Sequence, residues 1–236
     1  MSPYLSVIIP AFNEVDRINN TLKLVDNYLQ QSKYSYEIIV VDDGSSDGTR
    51  NLVEDLCRTI KSLKVFSLPN NQGKGVAVKA GMLQAEGKVR LFMDADGSTD
   101  IREIEKFLPL LSKGYDAVFG SRLLPGSVKK IRQSFFRELL GWIYRKILHI
   151  LIKTYIKDTQ NGFKLFSGTV AEEIFSNLRT KGWSFDIEVI LLMGKVGYKI
   201  KEMPIVWSND KQSKMTLTQM CRMLLDILLI RNKYFW

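Results

Sequence analysis

An α/β fold built on a mostly parallel central sheet, flanked by helices, is predicted by three features of this 236-residue chain. Short β-branched runs alternate with amphipathic stretches of helical period between Leu5 and Gly120, the rhythm of βαβ units with right-handed crossovers. The runs are apolar along their whole length, as strands covered on both faces must be. Carboxylates gather where the runs end, and in an open parallel sheet the carboxyl ends of the strands form the crevice that receives a ligand.

The first run, Leu5 to Pro10 (LSVIIP), reads as a buried strand. Asn13 is placed to cap a helix in which Ile18, Leu22, Val25 and Leu29 recur at helical spacing. Glu37 to Val41 (EIIVV) is the second strand and runs into DDGSSDGT, with Asp42 and Asp43 at its end and Asp47 placed to cap a helix carrying Leu52, Val53 and Leu56. Lys64 to Leu68 forms a third strand, followed by PNNQGKG and a helix from Val76 to Ala85. Lys88 to Ser98 (KVRLFMDADGS) is the stretch around which the rest is organised: a short strand ending in Asp94 and Asp96 and a turn at Gly97. Two hard oxygen ligands one residue apart can share a divalent cation, and Mg²⁺ favours one or two carboxylates completed by substrate phosphates. A helix from Ile101 to Leu111 and a strand from Asp116 to Gly120 follow.

Composition narrows the function. Apolar residues at 45% and charged residues at 25% are ordinary globular values. A net charge of +9 calls for an anionic partner: nucleic acid, nucleotide phosphates or an acidic membrane surface. Nucleic acid fits the charge but not the aspartates at the strand ends. Cys57 and Cys221 are far apart, with no CxxC and no clustered His, so they read as buried free thiols in a reducing compartment rather than a disulfide frame or a zinc site. The turn after the first strand lacks the G-x-G-x-x-G of a dehydrogenase, and GKG at Gly73 to Gly75 lacks the Ser or Thr of a P-loop. The start has no basic region ahead of its apolar run, so no signal peptide is expected, and no window of about 18 residues is free of charge, so no membrane span is expected.

Four segments taken together resemble the inverting family 2 glycosyltransferases with a GT-A (nucleotide-diphospho-sugar transferase) fold: PAFNE at Pro10 to Glu14, VDDGSSDGT at Val41 to Thr49, NQGKGVAVKAG at Asn71 to Gly81, and DADGS at Asp94 to Ser98. Downstream, GSR at Gly120 to Arg122, DTQNGFK at Asp158 to Lys164, WSFDIE at Trp183 to Glu188 and QSKM at Gln212 to Met215 resemble the polyprenyl-phosphate sugar transferases, the dolichyl-phosphate β-glucosyltransferases most and the dolichyl-phosphate mannose synthases next. No window of this sequence is expected to form the C-terminal membrane helices that some members carry.

The resemblance implies roles by position. Pro10, Phe12, Glu14 and Asp43 surround the nucleoside of UDP-glucose or GDP-mannose, and a carboxylate there can accept from a base N–H or a ribose hydroxyl. Lys74 steadies the donor's diphosphate or base; Asp94 lies near the ribose or sugar; Asp96, with Asp94 and Ser98, holds Mg²⁺ or Mn²⁺. Asp158 is the carboxylate presented to the acceptor. A lipid phosphate is already largely an oxyanion at neutral pH, its second pKa lying near about 6, so whether Asp158 removes a proton or orients the acceptor stays open. Arg122, Arg132, Lys164 and Lys214 are candidate cations between the anionic acceptor and the anionic leaving group. Arg122 and Lys214 come with motifs, and Arg132 rests on position alone.

From Phe135 to Ile156, Arg145, His149 and Lys153 recur every fourth residue against a broad apolar surface that includes Ile143, Ile147, Leu151 and Tyr155. Met215 to Ile230 repeats the theme, with Thr218, Arg222 and Asp226 as its polar stripe. Basic amphipathic helices with Trp and Tyr at their borders suit the headgroup plane of a membrane. The expected organisation is a nucleotide-sugar half at 1–133, an interface helix at 134–157, an acceptor half at 158–214 and a second interface helix at 215–236. The expected activity is inverting transfer of glucose from UDP-glucose to dolichyl or another polyprenyl phosphate. It would occur at the cytosolic membrane face: endoplasmic reticulum in a eukaryote, cell membrane in a prokaryote. A homo-oligomer or a membrane-protein partner is compatible with this. The rivals are mannose transfer from GDP-mannose, transfer to a saccharide hydroxyl, and a catalytically silent membrane-binding module.

Overall fold

The structure is a computed structural model that describes residues 2–129, 135–208 and 217–234. Arg132 and Lys214 lie outside the described residues, as does the QSKM segment that carried part of the resemblance.

The core is a seven-stranded sheet of β1 (Leu5–Ala11), β2 (Tyr36–Asp42), β3 (Leu63–Ser67), β4 (Val89–Met93), β5 (Ala117–Ser121), β7 (Phe163–Ser167) and β8 (Ile200–Pro204), in the order β3-β2-β1-β4-β7-β5-β8. A small second sheet pairs β6 (Val128–Lys129) with β9 (Val206–Trp207). β1 runs parallel to β2 and β4, β2 to β3, and β5 to β8. β7 alone is antiparallel, wedged between β4 and β5. That reversal brings the amino end of β7 to the edge where the parallel strands present their carboxyl ends, so the Asp158–Gly162 loop joins the loops after β1, β2, β4 and β5.

Alternating side chains of the same strands feed two separate cores, as period 2 requires of a sheet covered on both faces. Val7, Ile9, Leu91 and Leu165 pack beneath α1 (Ile18–Gln30), α2 (Thr49–Leu56) and α4 (Ile104–Ser112). Ile8, Ile39, Phe92 and Phe166 pack against α3 (Lys74–Gln84), α6 (Gly168–Asn177) and α7 (Phe185–Val196). A third, smaller cluster of Tyr144, Leu148 and Ile152 from α5 (Phe135–Ile152), Ile187 from α7, and Met223 and Ile227 from α8 (Leu217–Tyr234) seats the last two long helices on the domain.

Four local expectations are corrected. Asn13 does not cap α1, which starts after Arg17. It sits at φ 54° and ties two loops together, its side-chain oxygen accepting from Ser46 N and its own N donating to Ser45 Oγ. The helix expected from Ile101 opens as a 3₁₀ turn, Ile101–Glu103, before α4. α5 ends at Ile152, so Lys153, at φ 47°, leaves the basic stripe, and His149 Nδ1 donates to the Thr154 carbonyl, 3.1 Å away. Asp226, expected on the polar stripe of α8, is half-buried and is tied to the start of α7, where it accepts from Ser184 Oγ.

Candidate active site

At the edge of the parallel strands, β2 ends at Asp42 and the next residue, Asp43, is buried. Asp43 accepts from Gln72 N (2.7 Å) and Gly73 N (2.9 Å), tying the loop after β3 to the end of β2. Burial raises its pKa, Asp42 adds to the rise, and the two amide bonds oppose it. Pro10 is buried within β1, Phe12 projects partly into solvent, and Glu14 pairs with Arg17 while its backbone N donates to Thr49 Oγ1.

Lys74 opens α3 and reaches across to Asp94 at the end of β4, Nζ to Oδ1 2.7 Å. Its ammonium lies 4.5 Å from the Trp183 ring and 5.4 Å from the Phe92 ring. Burial alone would lower the Lys74 pKa, but Asp94 and then Asp186 turn the shift upward. The GKG glycines serve backbone approach: Gly73 is at φ +104°, a Cβ on Gly75 would lie 2.4 Å from the Thr180 carbonyl, and Gly75 N donates to the Lys181 carbonyl at 2.7 Å. The start of α3 is thus closed by protein.

Asp94 is held from behind. Its N donates to the Gly162 carbonyl (3.0 Å), and its carboxylate lies directly over the Gly162 Cα. Asp96 accepts from Ser98 N at 2.9 Å. Burial raises the Asp96 pKa, repulsion from Asp94 adds to it, and Ser98 and Lys74 oppose it. A carboxylate whose charge is disfavoured by burial and by a second carboxylate beside it suits a divalent cation. Among the described residues no cluster of three or more His, Cys, Asp or Glu could hold one alone. A two-carboxylate site finished by phosphate oxygens is what Mg²⁺ or Mn²⁺ accepts.

At the far side of β7, Arg122 follows β5 and grips Asp158 three times: its N and Nε to Oδ2 and its Nη2 to Oδ1, each 2.8 Å. Asp158 is 2% exposed. Burial alone would raise its pKa, but the guanidinium and these bonds reverse that and hold it below the usual carboxylate range. Among the described residues nothing is bonded to Arg122 Nη1, and the guanidinium faces the Trp207 ring at 5.3 Å. Arg122 stays charged: burial opposes this, but Asp158 first, then Asp94 and Asp186, favour the cation. The charges of Asp94, Asp158 and Asp186 therefore act together on the Arg122 guanidinium.

Lys164 does not face the cleft mouth. It is 1% exposed, with Nζ donating to the Asn161 carbonyl (2.6 Å) and to Asp186 Oδ1 (2.5 Å). Two residues beyond the expected set take part. Asp186 lies in the first turn of α7 within WSFDIE, and burial raises its pKa against the pull of Lys164 and Lys74. Glu202 of β8 accepts from Lys157 N and Asp158 N (2.9 and 3.0 Å), fixing the backbone that carries Asp158.

Asp43, Asp94, Asp96 and Asp158 gathered at the carboxyl edge of a mostly parallel sheet, the last brought there by the antiparallel β7, fit a glycosyltransferase of GT-A fold. The family model "Glycosyl transferase family 2" matches residues 6–175, and the chain belongs to that family. Its relatives include the dolichyl-phosphate beta-glucosyltransferases of Dictyostelium discoideum (36% identical over 244 residues, 98% of this chain and 75% of that protein), Saccharomyces cerevisiae (34% over 250 residues, 98% and 75%) and Homo sapiens (32% over 248 residues, 98% and 75%). Among solved structures it resembles mannosyl-3-phosphoglycerate synthase from Rubrobacter xylanophilus (TM-score 0.73, 17% identity, 98% of this chain and 74% of that one). It also resembles glucosyl-3-phosphoglycerate synthase from Mycobacterium tuberculosis in complex with Mn²⁺, UDP-glucose and phosphoglyceric acid (TM-score 0.72, 17% identity, 98% and 80%). At those identities the likeness is one of fold.

Proposed function

We propose that this protein transfers glucose from UDP-glucose to dolichyl phosphate, or a similar polyprenyl phosphate, in one inverting displacement. The names of its full-length relatives support the donor sugar and the acceptor. The observation that carries the choice of acceptor is the Arg122–Asp158 pair. A carboxylate held below its usual pKa by a guanidinium is a weak base, which is poorly suited to deprotonate a sugar hydroxyl but adequate beside a nucleophile already ionised.

An acceptor phosphate oxygen attacks the anomeric carbon from the face opposite UDP. As that bond forms, the bond from the anomeric carbon to the diphosphate oxygen breaks, and its electron pair leaves with UDP. Arg122 Nη1 is available to the incoming phosphate, and Asp158 orients Arg122 while its negative charge faces the cation developing on the sugar. Lys74 and Asp94 hold the donor on the other side. Asp43 fixes the loop that carries Lys74, while Pro10, Phe12 and Glu14 line the nucleoside end. Asp94 and Asp96, with Ser98 adjoining, would hold Mg²⁺ or Mn²⁺, which would offset charge on the departing diphosphate.

The acceptor stays in a bilayer, and the α5 and α8 surfaces suit its headgroup plane. Among the described residues no helix is long and apolar enough to cross a membrane. Yet Trp142, Ile150, Leu225 and Leu229 are 53%, 74%, 62% and 70% exposed, with Lys146 and Arg231 beside them in solvent. Large apolar side chains interleaved with exposed cations favour an anionic lipid surface, and the reading places the protein peripherally on the cytosolic leaflet.

The test is transfer of radiolabelled glucose from UDP-glucose to polyprenyl phosphate in mixed micelles, with unlabelled GDP-mannose as competitor. Product that requires lipid phosphate and a divalent cation and resists GDP-mannose is expected. Competition by GDP-mannose, or turnover without lipid phosphate, overturns the assignment.

A further inference from the structure

We propose that Lys164 and Asp186 are a positioning pair that sets the donor half of the cleft from below. This rests on the reading that Lys74 and Asp94 receive the UDP-sugar.

Lys164 is the second residue of β7 and sits in register with Phe92 of β4 and Phe119 of β5. Its ammonium lies 5.8 Å and 5.3 Å from those two rings. A central strand position between phenylalanines is one where Leu or Met would pack without charge, and burying each ion of a pair costs several kcal/mol that mutual attraction only partly returns. Stability alone therefore does not account for this lysine.

What the pair does follows from its contacts. Lys164 Nζ binds the Asn161 carbonyl, one residue before Gly162. The Gly162 carbonyl in turn accepts from Asp94 N, and its Cα backs the Asp94 carboxylate. Lys164 thereby fixes the turn against which Asp94 rests. Its partner Asp186 anchors the start of α7, three residues after Trp183, whose ring covers the Lys74 ammonium. Lys74 closes the circuit onto Asp94 Oδ1. Lys164 bonds Asp186, Asp186 attracts Lys74 through space and Lys74 bonds Asp94, so both the turn behind Asp94 and the lysine in front of it are referred to one buried post. The Arg122–Asp158 hydrogen bonds are made without either residue.

A phosphate contact by Lys164 and a positioning role predict different losses. The double variant Lys164→Met, Asp186→Asn removes both charges at nearly constant volume, so that neither is left buried alone. On the full chain, calorimetric titration with UDP and Mn²⁺ should show affinity reduced about tenfold or more, since misplacing a site by about 1 Å can cost up to about 100-fold. KM for UDP-glucose should rise in parallel, and by more than KM for the polyprenyl phosphate, because the Arg122–Asp158 hydrogen bonds remain. A rise confined to KM for lipid phosphate, with UDP affinity intact, overturns the proposal, and so does no change in either. Should the double variant fail to melt cooperatively, Lys164→Leu with Asp186→Leu carries the same test, because two apolar side chains leave no polar group buried. Absence of UDP binding by the parent chain would instead refute the reading of the cleft itself.

Discussion

Gly162→Ala is the sharpest test of how Asp94 is held. A Cβ at this position would sit 1.8 Å from Asp94 Oδ2 and 2.1 Å from its Cγ. Non-bonded heavy atoms rest about 3.5 Å apart, so the carboxylate would have to retreat by roughly 1.5 Å. It cannot do so freely: Oδ1 is bonded to Lys74 at 2.7 Å, and the backbone N is tied to Gly162 itself at 3.0 Å. A displacement of about 1 Å at a reacting centre costs up to about 100-fold, so kcat/KM for glucosyl transfer should fall by about two orders of magnitude. Overpacking of this kind costs about 1–3 kcal/mol, and with about 2–4 °C lost per kcal/mol in a domain of this size the variant should still melt cooperatively, a few degrees low. Steady-state kinetics beside a calorimetric melt read both. Gly194→Ala is the control, since a Cβ there meets nothing within 4 Å, and exchanging an exposed helical glycine should leave activity intact. A Gly162→Ala protein with the parent's kcat/KM would refute the reasoning, because Asp94 would then not be where the chemistry needs it.

Two further outcomes follow from the same geometry. Asp158→Asn leaves the guanidinium of Arg122 without its charge partner and should destabilise the fold at pH 7 by about 3 kcal/mol. Because the folded pKa of Asp158 lies below its unfolded value, the parent's advantage is full above the ordinary carboxylate pKa and is lost as pH falls through the lower folded value. Urea titrations at pH 7, 5 and 3 should show the gap between parent and variant closing on acidification, and a gap that widens would contradict the assignment. Replacing Trp142, Ile150, Leu225 and Leu229 together by Ser should abolish sedimentation with anionic vesicles while the melting temperature moves little, since all four are exposed; retained binding would move the lipid contact elsewhere on the protein.

The parallel half of the fold was legible because its strands are short apolar runs whose ends coincide with Asp, Gly and Pro, a local signal. The reversal at β7 was not. FKLFS reads as a strand in either direction, and its placement between β4 and β5 depends on pairing with residues some seventy and forty positions earlier (Phe92 and Phe119 both opposite Lys164). The helix termini slipped for a related reason. Asn13 has a capping side chain, but Ser45 and Ser46, brought close only by β1 pairing with β2, compete for it. On α8, Asp226 looks like a member of a solvated stripe until Ser184 arrives from α7.

The site divides along the same line. Asp94, Asp96 and Asp43 announce themselves because each ends a strand, and strand ends in a parallel sheet converge whatever the rest of the chain does. Lys164 and Asp186 sit 22 residues apart, in a strand and a helix that look ordinary taken singly. A lysine in an apolar strand is read from sequence as an exposed cation, because nothing local reports that both faces of that strand are covered. Only the antiparallel β7, with α7 laid over its start, turns Lys164 inward and supplies the carboxylate that makes its burial tolerable. The difference has chemical consequences: an exposed Lys164 would add one more cation for the acceptor phosphate, whereas a buried one leaves Arg122 as the described cation beside Asp158. On the proposed reading, acceptor recognition then rests on the Arg122 guanidinium, whose bidentate geometry with Asp158 fixes its plane.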